Sequence, residues 1–256
     1  YVQTKLNTFY KSVVFILGNI HIVVKLIYRG RSFIVDDKQI FASVEVCDHE
    51  VRMVVGEFFS PRLNILKVEM IPCSGLSYNT INNADEIISA IETACKQTEQ
   101  MLSAKLEKVI LSIPSYQMQR KSVRVTVPVK GYDGVVSVQD IRNAMKLAER
   151  QVSIGKELAL VQTVCVKYTI DGIASRRIPI GERAKELVVD IDLLCADRQL
   201  AYSLVGCIEK AGLQVMDIYL DTYAAAKEAA LFEQSVDRNV VLLKMEREAT
   251  TVARLS

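Results

Sequence analysis

The sequence predicts an α/β protein whose sheet is interrupted by a small inserted α+β unit. Three observations favour this class. Three consecutive segments alternate apolar and polar residues, a continuous apolar run follows at residues 109–113, and a strand, helix, strand, strand pattern begins after Pro114. The chain has 256 residues, half of them apolar, so it is long enough to bury one large core or two small ones.

The first part of the sheet is predicted to be an antiparallel meander. Residues 41–46, 51–55 and 63–70 each alternate with period two, which is typical of strands with one buried face. Polar turn residues at 48–49 and 60–62 separate them, and such short connections join antiparallel neighbours.

A helix and a buried strand are predicted next. Asn83, with Glu86 three residues later, has the pattern of a capping box. The following helix has an apolar face made of Ile88, Ile91, Cys95 and Leu102. Residues 109–113 are apolar without alternation, which indicates a strand covered on both faces.

The inserted unit is predicted from the pattern after Pro114. Residues 122–129, 159–169 and 185–194 are expected to be strands, and a helix capped by Ser137 lies between the first two. The residues of this helix that face inward are Ile141, Ala144, Met145, Ala148 and Val152. Turn-rich sequence near Ser115 and Asp197 marks the two ends of the unit.

The chain is then predicted to return to the first sheet. Asp197 is expected to cap a helix, and Gly212 to end it in the left-handed conformation. The inward face of this helix consists of Leu200, Leu204, Cys207 and Ile208. A strand at 214–220, a helix of small residues at 224–231 and a hairpin at 239–255 complete the pattern.

Composition excludes several classes of site. The formal charge is only +2, from 32 basic and 30 acidic residues spread along the chain, so no nucleic-acid partner is expected. Six scattered cysteines and two histidines lack zinc-site spacing, and no metal site is predicted. Cys47, Asp48 and His49 are adjacent but have no third orienting group, so no catalytic residue is assigned.

Residues 1–35 are the unusual part of the sequence. Residues 13–28 are strongly apolar, but Gly18, Asn19, His21 and Lys25 interrupt a run that is shorter than the roughly 20 residues of a membrane-spanning helix. Two interpretations are open: a fragment with an upstream start, or a membrane-associating segment.

Four short motifs carry a family resemblance through their order and spacing. They are Ala-Ser-Val-Glu-Val at 42–46, Val-Val-Gly-Glu at 54–57, Val-Ile-Leu-Ser-Ile-Pro at 109–114 and Ile-Glu-Lys-Ala-Gly-Leu-Gln-Val at 208–215. In these motifs the chain resembles FtsA, the cell-division member of the actin-like ATPase superfamily, as a divergent and incomplete relative.

The resemblance implies half of an actin/Hsp70-like (ribonuclease H-like) fold with an inserted SHS2 subdomain, termed 1C. The implied division is an unmatched segment at 1–35, subdomain 1A at 36–115 and 196–236, the insert at 116–195, and the start of subdomain 2A at 237–256. The same resemblance places Glu45, Arg52, Thr250 and Thr251 at the positions of the two ATP phosphate loops.

Neither of these turns contains a glycine. Relatives have an Asp-Ile-Gly-Gly-Gly run where this chain has residues 244–248, and Cys47 occupies a glycine position of the first loop. Glycine lets successive backbone amides converge on phosphate oxygens. The resemblance implies ATP and magnesium, but the missing glycines predict that no nucleotide is bound and that the chain is not an enzyme.

By resemblance, the complete protein is a cell-division scaffold. It would link the FtsZ ring to the cytoplasmic face of the membrane at the division site, recruit later division proteins, and self-associate through the insert. Arg124, Thr126, Arg176 and Arg177 are the candidate self-association residues. The competing interpretations are burial of the apolar face of strand 122–129 inside the insert and, for the loop that contains Arg176 and Arg177, ordinary exposure to solvent. A PilM-like type IV pilus assembly protein and a small-molecule enzyme on an α/β scaffold are the alternatives.

Overall fold

The computed structural model describes residues 39–59, 62–130, 132–229, 240–247 and 249–255. The apolar N-terminal segment, the turn at 60–61 and the end of the small-residue helix therefore lie outside the described residues. The chain forms two compact units. The first contains the described residues up to Tyr116 and those from Gln199 onward, and the second is Gln117–Arg198.

A five-stranded mixed sheet forms the first unit. Its strands lie in the order β11-β6-β1-β2-β3. The first three in the chain are β1 (Gln39–Val46), β2 (Glu50–Phe59) and β3 (Arg62–Pro72). They pair antiparallel, which confirms the predicted meander.

Two parallel strands complete this sheet. After the short hairpin of β4 (Leu76–Ser77) and β5 (Thr80–Ile81), strand β6 (Lys108–Ile113) pairs parallel with β1. Strand β11 (Gln214–Leu220) pairs parallel with β6. All but the first residue of β6 are buried, as the unbroken apolar run predicted.

Helix α1 (Ala84–Leu102) packs against β2 and β3. The Asn83 side chain caps it by accepting from the Glu86 amide. The predicted capping box forms only in this direction, because the Glu86 carboxylate instead accepts a hydrogen bond from the Ser74 amide at 2.6 Å. The buried face is centred on Ile87 and Ile91, whereas the predicted Ile88 and Leu102 are half-buried at its margin.

The chain returns through α3 (Arg198–Lys210) to β11, and Gly212 ends the helix turn at φ +85° as predicted. Helix α4 (Asp221–Glu228) follows directly, with Ala224 and Ala226 buried. Their small side chains allow the close approach to the sheet that the sequence indicated.

The first unit ends in a hairpin of β12 (Val240–Met245) and β13 (Thr250–Leu255). Its residues alternate in exposure. Leu242 and Lys244 are half-buried on one face, while the opposite face exposes Val241, Leu243, Met245 and Val252, each by more than half.

The second unit is a four-stranded sheet packed against one helix. Strands β7 (Gln119–Pro128), β8 (Leu158–Ile170), β9 (Ile173–Ser175) and β10 (Glu186–Asp197) lie in the order β7-β10-β8-β9. A single 3₁₀ turn (Tyr132–Gly134) precedes helix α2 (Val138–Gln151), whose Ser137 and Asp140 form the full reciprocal capping box. The sequence analysis did not predict β9, because three residues are too short for a periodic signal.

The predicted apolar face of β7 lies in the core of this unit. Val125 and Val127 are at most 5% exposed and pack with Leu187, Val189 and Ile191 of β10. On the solvent side, Arg124 donates two hydrogen bonds to Asp190, at 2.5 and 3.1 Å. The two valines are therefore part of the core of the unit, and Arg124 is held on the solvent side by Asp190.

No helix among the described residues combines the length and the apolarity that crossing a bilayer requires. The SHS2 subdomain and the finer division into 1A, 1C and 2A stay predictions of the sequence.

Candidate functional site

The candidate site lies where three parallel strands end. In an open α/β sheet the carboxyl ends of parallel strands meet at one edge, which is the usual place for a ligand. Glu45 is the penultimate residue of β1, Ser115 follows the end of β6, and Asp221 follows β11 as the first residue of α4. Topology therefore brings together three polar residues that are far apart in the sequence.

Lys244 of β12 reaches into this edge and binds three carboxylates. Its Nζ lies 3.2 Å from Glu45 Oε1 and 3.1 Å from Glu246 Oε1, and it also donates to Asp221 Oδ2. Only 16% of the Lys244 side chain is exposed. The hairpin of β12 and β13 is thus joined to the end of β1 and to the start of α4 by one ammonium group.

Arg52 of β2 provides the second cation. Its Nη1 lies 3.0 Å from Glu45 Oε2 and its Nε lies 2.7 Å from Glu50 Oε1. The same Nη1 is 4.0 Å from Glu246 Oε1. Glu45 is consequently held between two cations, one on each carboxylate oxygen.

Neutral donors fix the acids in place. The amide and the hydroxyl of Ser115 both donate to Asp221 Oδ1, at 3.0 and 2.5 Å, and Thr222 Oγ1 donates to the same oxygen at 3.0 Å. Tyr116 Oη donates to Glu246 Oε2 at 3.2 Å. We call Glu45, Arg52, Asp221, Lys244 and Glu246 the charge network.

Burial and pairing act in opposite directions on Glu45 and Lys244. Burial alone raises the pKa of the Glu45 carboxyl, but Lys244 and Arg52 outweigh it and lower that pKa to about 2. Burial likewise lowers the pKa of Lys244, and Asp221 and Glu45 more than reverse this, so it lies well above its usual value. Both groups are therefore charged at neutral pH.

Glu246 behaves differently. Burial raises its pKa, the nearby Glu45 and Asp221 carboxylates raise it further, and the opposing effect of Lys244 is smaller than these together. Glu246 therefore takes up a proton at a higher pH than an ordinary glutamate does.

The two turns that the resemblance places at the phosphate loops each contain a backbone hydrogen bond across the turn. The Cys47 amide donates to the Glu50 carbonyl at 2.9 Å, and the Glu246 amide donates to the Ala249 carbonyl at 2.9 Å. A phosphate loop needs such amides free to converge on an anion. Here the first amide of each turn is already used across the turn.

Charge opposes a polyphosphate at this edge as well. Four carboxylates, those of the three network acids and Glu50, contact two cations, and the Asp48 carboxylate pairs with His49 in the same turn. A carboxylate about 4 Å from a phosphate oxygen costs on the order of 4 kcal/mol at an effective dielectric near 20. Lys244 and Arg52 are already neutralised by the acids that they bind.

Glu45, Cys47 and Glu246 have the spacing of a cation site, since their ligand atoms lie within 4.8 Å of one another. Two features oppose a metal ion there. Lys244 Nζ already contacts both carboxylates. Burial, with Glu45 nearby, raises the pKa of the Cys47 thiol well above its usual value, whereas a metal needs the thiolate.

The structure brings two of the predicted site residues into direct contact. Glu45 and Arg52 form an ion pair. In β13, Thr251 lies opposite Lys244 and Thr250 opposite Met245. Arg124 and Thr126 lie in β7, and Arg176 and Arg177 follow β9. The roles of these residues in nucleotide binding and self-association stay predictions.

The sequence analysis did not assign Asp221, Lys244 or Glu246 to a site. A signal for two of them was present: period two places Leu242, Lys244 and Glu246 on the same face of β12, and charges on an apolar face indicate a buried pair. Asp221 gave no such signal, because its position depends on the parallel pairing of β6 and β11.

Comparisons with known proteins agree with this architecture. The cell division protein FtsA of Bacillus subtilis (strain 168) is 26% identical over 218 residues, which cover 85% of this chain and 49% of the relative. FtsA of Enterococcus hirae is 23% identical over 213 residues, covering 83% and 48%. The sequence resemblance to FtsA is confirmed. The chain spans about half the length of these FtsA relatives. No family model matches the sequence.

A solved structure shares the fold. A chain of the PilM-PilN type IV pilus biogenesis complex superposes with a TM-score of 0.54 at 15% identity, covering 84% of this chain and 57% of that one. This likeness supports the mixed α/β, actin-like architecture.

Proposed function

We propose that this chain is part of a cell-division scaffold of the FtsA type. The observation that carries the proposal is the similarity to FtsA proteins over about 85% of the chain. By analogy, the complete protein would bind FtsZ, recruit later division proteins and act at the cytoplasmic face of the membrane. The PilM alternative is less well supported, because that chain is 15% identical whereas FtsA of Bacillus subtilis is 26% identical.

Localisation tests this role. A fluorescent fusion of the complete protein, expressed in its own bacterium, is expected to form a band at midcell that disperses when FtsZ is depleted. A fusion to an unrelated soluble protein is the control. A band that persists without FtsZ, or foci at pilus sites, would contradict the proposal.

The proposal includes a scaffold that works without nucleotide and is not an enzyme. The charge network supports this part, because Lys244 occupies the edge of the sheet where a ligand is expected and is surrounded by carboxylates. The Lys244 ammonium thus links the hairpin to the sheet. In a ligand-binding protein of this kind, the bound ligand would make that link.

We therefore expect no saturable binding of ATP by the chain at concentrations up to about 1 mM, which corresponds to a binding free energy of about −4 kcal/mol. Equilibrium dialysis with labelled ATP and magnesium is the measurement. Saturable ATP binding by the chain would contradict the proposal.

Self-association through the second unit is a further part of the proposal. The exposed Arg124 and Thr126 side chains of β7 are its candidate contacts. Sedimentation velocity of an Arg124→Glu variant tests this contact. The matched control is Arg150→Glu, which reverses an exposed charge on α2. Equal sedimentation coefficients for the two variants would show that β7 is not part of the contact.

A further inference from the structure

A groove lies beside the hairpin of β8 and β9 in the second unit. Its cavity of about 150 Å³ has an apolar lining of Tyr168, Ile170, Ile173 and Pro179, and Asp171 and Glu182 also line it. An apolar cavity of about this size holds a benzene molecule. It is therefore large enough for one aliphatic or aromatic side chain.

The groove exists because the apolar face of the sheet extends beyond the core. Ile170 pairs with Ile173 across the hairpin, and Tyr168 pairs with Ser175. Tyr168 is only 5% exposed and Ile170 packs against the same core, whereas Ile173 is 76% exposed. The floor of the groove thus continues the buried face of the sheet and ends at the exposed Ile173.

Two more exposed isoleucines flank Pro179, which lines the groove. Pro179 is buried and fixes the loop that follows β9, and its neighbours Ile178 and Ile180 are 41% and 48% exposed. The loop is anchored further on, where the Gly181 amide donates to the Val136 carbonyl at 3.0 Å. Exposed apolar residues on an anchored loop are typical of a surface that binds a partner.

Charge indicates the chemistry of that partner. Arg176, Arg177 and Arg183 are exposed in the same loop, and Lys185 follows them. Residues 176–185 contain these four cations and one acid, Glu182, and Asp171 is the other acid that lines the groove, so cations outnumber acids there. A ligand that combines an apolar side chain with neighbouring carboxylates would satisfy both halves of the surface.

The edge of the sheet favours an extended ligand. Strand β9 is the last in the order β7-β10-β8-β9, and in the part of the chain that the structure describes no strand pairs with its outer edge. An extended peptide binds such an edge through its backbone and places alternate side chains in pockets. A flat lipid surface would make no use of a cavity sized for one side chain.

We propose that this groove binds a short extended peptide, with one branched aliphatic or aromatic side chain in the cavity and acidic residues against Arg176 and Arg177. The binding site belongs entirely to the second unit and does not depend on the proposed role in division or on the charge network.

Selection from phage-displayed random dodecapeptides on the whole 256-residue chain tests the proposal. The enriched peptides are expected to share an aliphatic or aromatic residue followed by acidic residues. Their binding, measured by fluorescence anisotropy of labelled synthetic copies, should weaken at least about tenfold with Ile173→Asp and also weaken with Arg177→Glu.

Matched controls separate the groove from general surface effects. Met216→Asp changes another exposed apolar residue, and Lys156→Glu reverses another exposed charge, so both should bind as the unchanged chain does. Circular dichroism verifies that Ile173→Asp is folded.

Three outcomes would overturn the proposal. In the first, the selection enriches no peptide. In the second, the enriched peptides bind folded Ile173→Asp with the affinity they have for the unchanged chain. In the third, the enriched peptides lack acidic residues and bind Arg177→Glu with unchanged affinity. A further result would also refute the peptide site. If Ile173→Asp lowers the sedimentation coefficient of the chain but leaves peptide binding unchanged, the groove is a contact between copies of the chain.

Discussion

Replacing Lys244 with methionine is expected to destabilise the first unit by about 3–5 kcal/mol, the cost of removing one partner from a buried ion pair. Methionine retains most of the apolar stem, so the loss comes from the charge. Glu45, Asp221 and Glu246 each lose their ammonium partner, and their side chains are at most 8% exposed. Water cannot replace the lost partner at such depth.

Hydrogen exchange measured by mass spectrometry locates this effect. Amides of β1, β12 and β13 should exchange faster in Lys244→Met, while those of the second unit stay unchanged. Lys67→Met is the matched control, because Lys67 forms a 2.8 Å ion pair with Glu69 in β3 but is 29% exposed, and it should cost at most about 1 kcal/mol. Equal effects of the two substitutions would show that the network contributes no more than a surface pair.

A compensating change sharpens the same test. The pKa of Glu246 lies above its ordinary value, mainly because of burial, and glutamine there imitates its protonated form. The double variant Lys244→Met with Glu246→Gln should recover part of the lost stability, because one fewer carboxylate is left unpaired. A double variant less stable than Lys244→Met alone would contradict this account of the loss.

The stabilising effect of Glu45 is expected to disappear in acid. Its pKa is about 2 in the folded chain and 4.5 ordinarily, so the unfolded chain binds more protons between these values and stability rises with pH there. The contribution, about 3 kcal/mol for a shift of this size, is complete above pH 4.5 and is lost as the pH falls toward 2.

Glu246 acts with the opposite sign in a different window. Its folded pKa is raised, so its protonated form is favoured by folding, and the stability that protonation provides is lost as the pH rises through that pKa, above the ordinary 4.5. The two effects therefore do not cancel in the acid range where Glu45 titrates.

Urea unfolding of the unchanged chain and of Glu45→Gln, followed by circular dichroism from pH 2 to 7, measures the Glu45 effect. The difference between the two proteins should be about 3 kcal/mol above pH 4.5 and approach zero near pH 2. Asp140 and Asp190 also have lowered pKa values, but they are common to both proteins and drop out of the difference. A difference independent of pH would show that Glu45 acts through packing. Glu69→Gln, which removes the partly exposed ion pair with Lys67, is the control and should change the stability at pH 7 by at most about 1 kcal/mol.

Local patterns predicted most of the fold, because they depend on neighbours in the sequence. Alternation identified β1, β2 and β3, and the Ser137 cap and Gly212 stop lie where short-range rules put them. The prediction failed where a residue that is distant in the sequence competes for the same hydrogen-bonding group. Glu86 leaves the predicted capping box because the Ser74 amide, twelve residues away, is a better-placed donor.

The site was less accessible to sequence reasoning for the same reason. Missing glycines indicated that the two turns do not form phosphate loops, which is a local property. The residue that occupies the sheet edge is Lys244, which is 199 residues from Glu45 in the sequence. No sequence pattern near Glu45 indicates that the two residues are in contact. Only the order of the parallel strands, which is a property of the whole unit, brings Glu45 and Asp221 to the same ammonium group.

The exposed face of the β12 and β13 hairpin has a practical consequence. Val241, Leu243, Met245 and Val252 form an apolar stripe beside a strand edge, and such stripes adhere to one another between molecules. Concentrated preparations of this chain should precipitate readily in ammonium sulfate, since salting-out strengthens contacts of this kind. Threonine in place of Leu243 and Val252 should make the chain more soluble and easier to crystallise. Neither substitution changes Lys244, which lies on the opposite face of the hairpin.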